Sequence, residues 1–317
     1  MKQQKLFRRA VLAALIMAAM AAPASAQKLR VNVLPIFDTA PFYVAQQEGY
    51  FKAEGLEVTT ETTQGGGAVG VPGLAGGFYD VLYSNSTSLI LALHQGIDVS
   101  IIIGGGLVGT DEPESAGLLR RKSDANLKTG KDFEGKNIGI IARMSLQSLV
   151  AREWVRKTGG DPDKVTYREV PVPQMIDGLK SNQLDAALSI DPFFTVGQKD
   201  PAIDLLDYAF RVATPRMQVA NWAVTAETAE KRRDVVQKFL RGMQKGSDWI
   251  NANLTKDAYI KILNSYTRMA PELIKQMPIR KSVLEVDAES LERMENLMRA
   301  HAMVTGDLDL SKKVFKK

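Results

Sequence analysis

Residues 80–96 read DVLYSNSTSLILALHQG. Asp80 to Tyr83 has the composition of a short strand, and the apolar residues after Ser86 recur at helical spacing. Ser84, Asn85 and Ser86 stand at the join, where a short polar side chain can accept a hydrogen bond from the first free N–H groups of a helix. A strand therefore runs into a capped helix that closes at Gly96.

The same logic recurs on either side. Upstream, RVNVL (Arg30 to Leu34) reads as a buried strand, APFYVAQQEGYF from Ala40 as a helix with Pro41 at its start, and LEVTTETT (Leu56 to Thr63) as a strand. Downstream, Val99 to Ile103 reads as a strand running into Gly104, Gly105 and Gly106, and Gly117 to Lys122 as another. NIGII (Asn137 to Ile141) then leads to Ser145, which can cap the helix LQSLVAREWVRKTG. Val165 to Val170, a helix around Met175 to Leu179, Ala186 to Ile190 and Val219 to Thr225 continue the alternation. From Glu227 onward the pattern predicts an almost wholly helical cover. Alternating strands and helices predict an α/β class with mostly parallel sheets.

Composition narrows the function. The chain has 317 residues, 45% of them hydrophobic, enough for a substantial core in two domains or one large one. Residues 1–26 have a basic start (Lys2, Lys5, Arg8, Arg9), an apolar stretch from Ala10 to Ala22 and Ala24-Ser25-Ala26 before Gln27, the pattern of a cleavable export signal, of the general secretory type because Phe7 precedes the arginine pair. The apolar stretch is shorter than the about 20 residues that span a bilayer, so a protein not embedded in the membrane is expected. Without that segment 37 basic side chains face 36 acidic ones. A near-neutral surface gives no electrostatic basis for binding nucleic acid or membranes, and Lys312, Lys313, Lys316 and Lys317 read as a solvated tail. No cysteine is present, which excludes disulfides, thiol nucleophiles and thiolate metal sites.

Several motifs fail in context. Gly104, Gly106 and Gly109 satisfy G-x-G-x-x-G, yet Thr110-Asp111-Glu112-Pro113 follows where a dinucleotide site needs a helix, so the glycines read as a flexible crossover. His94 and His301, the two histidines, lie in separate helical patterns with no partner at metal-ligand spacing, and His94 reads as a helix-surface residue or as one that supports a site from behind its lining. No metal, cofactor or catalytic residue is assigned.

In doubly wound sheets, ligands bind beyond the carboxyl ends of the strands. Four segments fall there: Phe37, Asp38, Thr39 and Phe42; Asn85, Ser86 and Thr87; Arg143, Ser145 and Gln147; Asp191 and Phe193. The two helix starts offer N–H groups to a polar ligand, the aromatic rings suit an apolar body, and the two aspartates read either as ligand contacts or as turn caps.

GYFKAEGLEVT (Gly49 to Thr59), Tyr79-Asp80-Val81, FEGKNIGI (Phe133 to Ile140) and LKSNQLDAALSIDPF (Leu179 to Phe193) resemble the nitrate, sulfonate and taurine substrate-binding proteins of ABC importers, a group with thiamine-pyrimidine-precursor relatives. The resemblance implies a type II periplasmic-binding fold: two doubly wound lobes, residues 27–105 plus 215–317 and residues 106–214, joined by two crossovers. It implies a monomer in the periplasm that captures a small organic molecule, a sulfonate or carboxylate with an apolar or aromatic body, for a permease and ATPase. It places the ligand against the four segments above, with Trp222 as a wall and Gly104, Gly105, Gly106 and Thr214 as hinges. Arg143 is the one cation this reading brings to the cleft. A pathway enzyme using Asp38 and Asp191, or a ligand-sensing receptor module, are the alternatives.

Overall fold

The computed structural model describes residues 26–62, 67–109 and 114–316. The expected export signal lies outside the described residues except for Ala26, as do residues 63–66 of the glycine-rich stretch.

Ten strands form two five-stranded sheets with the same internal pattern. The first holds β1 (Gln27–Asn32), β2 (Leu56–Glu61), β3 (Val81–Asn85), β4 (Val99–Val108) and β10 (Met217–Thr225), in the order β2-β1-β3-β10-β4. The second holds β5 (Ala116–Arg121), β6 (Asn137–Ile140), β7 (Thr166–Glu169), β8 (Ala186–Ile190) and β9 (Ile203–Asp207), in the order β7-β6-β8-β5-β9. One strand of each runs against its neighbours: β10 is antiparallel to β3 and β4, and β5 to β8 and β9. These two are the strands that arrive from the other sheet. The α/β class is the observed architecture, with mixed sheets in which four of the five strands point the same way.

Helices α1 (Ala40–Gln47), α2 (Ser86–His94), α3 (Leu146–Lys157), α4 (Ala209–Ala213), α5 (Arg233–Asn253) and α6 (Ala288–Ala300) carry the packing that matters for the site. Under α1 and α5, Phe42, Phe51, Trp222 and Phe239 form an aromatic core, with Phe51 and Phe239 stacked at 5.3 Å and Phe42 5.5 Å from Trp222. Another core is continuous from the first sheet (Leu82, Ile101) through Leu291, Met294 and Met298 of α6 to the second (Leu118, Ile138) and α3. Each fully buried side chain of this kind contributes roughly 1.5–3 kcal/mol. The sheets are therefore packed on one another as well as tethered.

Two connections join the sheets, from β4 to β5 and from β9 to β10. They lie side by side, since the amide of Arg216 donates to the carbonyl of Gly109 at 2.9 Å. Gly109 itself has φ +73°, a conformation costly for a side-chain-bearing residue.

Three expectations are corrected. Gly104, Gly105 and Gly106 are not a loose crossover but part of β4, which extends to Val108. A Cβ would meet Gln218 Nε2 and the Glu285 carbonyl at Gly104, the Tyr83 ring at Gly105 and the Asp38 carboxylate at Gly106, so glycine is needed there for close approach. Thr214 does sit just before the return strand, buried, with its amide donating to Phe210. His94 is no helix-surface residue: its Nε2 lies 2.7 Å from Glu295 Oε1 of α6 and its Nδ1 3.1 Å from the Thr305 carbonyl. Lastly, the C-terminal part is not wholly helical. Residues 278–287 are irregular, starting at Pro278, which lacks an N–H. Their backbone is held instead by Asn251, Gln218 and the amide of Gly104, through Ser282, Glu285, Asp287 and Leu284.

Candidate functional site

A cavity of about 700 Å³ opens between the sheets at the carboxyl ends of β1, β3, β6 and β8. Its far wall is the irregular segment from Met277 to Leu284, and most of its lining is apolar, including Leu34, Ile141, Leu146 and Ile190. That is the size and character of small-molecule sites.

Of the residues read from the sequence, Phe37, Asp38, Asn85, Ser145, Gln147 and Asp191 line this cavity. Asn85 ends β3 and caps α2: its Oδ1 accepts from the amide of Ser88 at 2.8 Å and from Thr87 Oγ1 at 2.6 Å. Ser145 is the counterpart on α3, its Oγ accepting from the amide of Ser148 at 3.2 Å, and Gln147 Oε1 accepts from the amide of Ile141 at 2.7 Å. The polar side chains at both helix starts are thus already engaged in building the turns.

The others lie elsewhere. Thr39 is fully buried and braces its own loop through the carbonyls of Leu34 and Ile36. Ser86 is buried between the Gln218 carbonyl and Asn221, and Thr87 is buried beside it. Phe42 and Trp222 belong to the aromatic core and have no exposure. Trp222 forms a second layer, packed edge-on at 5.2 Å against Tyr83, whose ring lines the cavity instead. Phe193 packs on the side core of the second sheet. Arg143 is exposed on the other side of the α3 start, where it borders a smaller cavity with Arg152, Tyr167 and His301.

Arg216, Arg280 and Lys281 line the main cavity, and the most deeply set of these cations is Arg280, on the irregular segment that the sequence pattern does not reveal. Its Nη1 donates to the Leu107 carbonyl at 3.0 Å and its Nη2 to Ser115 Oγ at 2.8 Å, while Nη2 stands 3.8 Å from Asp38 Oδ1. Its side chain is only 14% exposed. The local signal available was the Pro278 that interrupts helix, which marks a break but not what the break approaches.

Two carboxyls share this surface. Burial pushes Asp38 above its ordinary range, with the Arg280 guanidinium opposing. Burial does the same to Asp191, opposed by hydrogen bonds from Thr195 and by Arg280. Burial, reinforced by the Asp38 charge, also holds the Tyr83 phenol well above its usual value. Asp191 Oδ1 accepts from the amide of Thr195 at 2.9 Å, whereas its Oδ2 is buried with no partner among the described residues, and so is Ser84 Oγ on β3 across the cavity. Buried polar atoms are almost always satisfied, so these two are exceptions in residues that line the cavity. Among the described residues no group of three metal-ligating side chains occurs, and no helix is long and apolar enough to cross a membrane.

Residues 36–254 match a family model described as NMT1/THI5 like. Matches to curated cyanobacterial transport proteins cover 176 residues at 23–24% identity, which is 52% of this chain and 26% of theirs, so the chain spans only that share of their length. Among solved structures, the periplasmic aliphatic sulphonate binding protein SsuA from Escherichia coli superposes with a TM-score of 0.76 at 13% identity, covering 91% of this chain and 97% of SsuA. The periplasmic nitrate-binding protein NrtA from Synechocystis gives a TM-score of 0.69 at 12% identity over 92% of this chain and 85% of its own. The desulfurization enzyme DSZB has the same fold, with a TM-score of 0.67 at 14% identity over 91% of this chain and 96% of the enzyme.

Proposed function

Because the chain belongs to the NMT1/THI5-like family, we propose that it is the periplasmic substrate-binding component of an ABC importer, exported by residues 1–26 and working as a monomer with a permease and an ATPase. Its two lobes, residues 27–105 plus 215–317 and residues 106–214, hold a small organic molecule between them.

The observation that carries this reading is Arg280, the least exposed of the three cations that line a largely apolar cavity of about 700 Å³. It suits a carboxylate or sulfonate at one end of a ligand whose body is apolar or aromatic. The unpartnered oxygens of Asp191 and Ser84 suit hydrogen-bond donors on that body. A bare inorganic anion would leave the apolar wall unfilled and face two carboxylates.

Thermal unfolding of the purified protein, stripped of co-purified ligand, against taurine, alkanesulfonates, aromatic carboxylates, aminopyrimidines and nitrate tests the assignment. A ligand at a hundred times its Kd adds about 2.7 kcal/mol, a shift of several degrees. A selective shift by an organic acid is the expected outcome, and a shift by nitrate alone would overturn the ligand class.

A second reading, a pathway enzyme, draws on the two high-pKa carboxyls of Asp38 and Asp191 in one cavity, an arrangement suited to acid–base work. Recovery of the bound molecule chemically unchanged after prolonged incubation separates the two, since an enzyme would return product.

A further inference from the structure

The guanidinium that faces the cavity also fastens the connection between the sheets. Leu107 is the penultimate residue of β4 and Ser115 stands immediately before β5, so the two hydrogen bonds from Arg280 span the outgoing crossover from one end to the other. Ser115 is gripped a second time, through its carbonyl, by the amide of Asp191 at 2.8 Å. The crossover therefore connects by hydrogen bonds to two of the charged residues that line the ligand space, Arg280 from the C-terminal segment and, through its amide, Asp191 from the end of β8.

An arginine has five N–H donors in a rigid fork. Leu107 and Ser115 use two of them, and Nη2 stands 3.8 Å from Asp38 Oδ1 in the same cavity. We propose that Arg280 is a positioning and specificity-determining residue: its bonds to Leu107 and Ser115 fix both the crossover and the guanidinium, and its remaining N–H groups take the acidic group of the ligand, so occupancy of the cavity is read at the connection between the sheets. This rests on the ligand reading above. A lysine at this position would offer a charge but no planar fork to hold both ends of the crossover.

One arm of the test needs no ligand. Hydrogen exchange by mass spectrometry on the purified protein compares the wild type with Ser115→Ala, Ser115→Thr and Arg280→Lys. The loss of one or two such bonds should speed exchange of the amides in 107–109 and 114–116 by about tenfold in Ser115→Ala and Arg280→Lys, with wild-type rates in Ser115→Thr. The β1 and β2 ladder should be unaltered in all of them, which shows that each variant folds. Equal crossover rates in wild type and Ser115→Ala overturn the proposal.

The other arm titrates hexanesulfonate and benzenesulfonate by calorimetry. Ser115→Ala keeps every charge of the cavity, so a clasp that aims Arg280 predicts binding weakened about fivefold and restored in Ser115→Thr. Unchanged affinity in Ser115→Ala overturns the coupling. If neither sulfonate binds the wild type, the ligand reading fails, while the exchange measurement still decides the clasp.

Discussion

Glu153 on α3, over the second sheet, accepts a hydrogen bond at 3.0 Å from Nε2 of His301, at the end of the helix α6 that packs on the first sheet. Both side chains are almost wholly buried, with 1% and 3% exposure, and Glu153 also receives two hydrogen bonds from Arg156. Arg156 and His301 outweigh the burial and hold the Glu153 carboxyl below its ordinary range. A depressed carboxyl contributes stability that is present above its unfolded value and lost as pH falls through its folded value. Stability should therefore decline on acidification below the usual carboxylate range, and Glu153→Gln should flatten that decline. Removing the carboxyl altogether with Glu153→Ala should cost about 1–3 kcal/mol at neutral pH, as measured by urea unfolding, because His301 is then left buried without its hydrogen-bond partner. A midpoint unchanged in Glu153→Ala would show that the pair does not hold α6 to α3.

Gly104 predicts a different kind of loss. A Cβ there would lie 2.2 Å from Gln218 Nε2 and 2.4 Å from the Glu285 carbonyl oxygen. The amide side chain can turn aside but the carbonyl belongs to the backbone of the segment that carries Arg280, so Gly104→Ala should displace that segment. A cost of about 1–3 kcal/mol is expected, together with weaker binding of any ligand anchored on Arg280. Wild-type unfolding and binding in Gly104→Ala would refute the close packing.

The helix starts should separate stability from binding. Asn85→Ala removes the acceptor for the Ser88 amide, and Ser145→Ala the acceptor for the Ser148 amide. Each should lower stability by about 1 kcal/mol. Adding the capping side chain back in kind, as Asn85→Asp or Ser145→Thr, should recover most of it. A large stability loss in Asn85→Asp would mean that the residue does more than cap α2.

The sequence was legible where the signal is local. The strand that ends at Asn85 and the strand that ends at Ile140 are each followed by a polar cap and an apolar helix, and both appear as read, since capping and periodicity involve neighbours in the chain. Phe42 belongs to a segment beyond a strand end and Trp222 is a ligand wall only by the family resemblance, but the depth of both depends on Tyr83 and Phe239, which reach them from other elements. The three glycines of β4 look like a loop in one dimension and are strand because Tyr83, Asp38 and Gln218 crowd them. Arg280 is the extreme case: its neighbours Asp38, Leu107 and Ser115 come from distant parts of the chain, and no pattern around residue 280 records them.

Asp38 and Asp191 should trade stability for binding. Burial raises both carboxyls, so the folded protein holds these protons more tightly than the unfolded chain does. For such an acid, the stabilising proton is fully present below the unfolded value near 3.8 and is lost as pH rises through the folded value, which leaves a cost at neutral pH. Asp38→Asn should therefore raise the urea midpoint at pH 7, and the gain should shrink as pH falls toward the ordinary carboxylate value. The Arg280 guanidinium works against this gain, because the substitution removes its nearby countercharge at 3.8 Å. Paired denaturation curves at neutral and acid pH decide which wins: a midpoint lowered by Asp38→Asn at pH 7 would mean that attraction to Arg280 outweighs burial. Asp191→Asn should behave alike but also weaken ligands that donate to Oδ2, since the amide presents one acceptor in place of two, and calorimetry with an amine-bearing and an amine-free organic acid reads that difference directly.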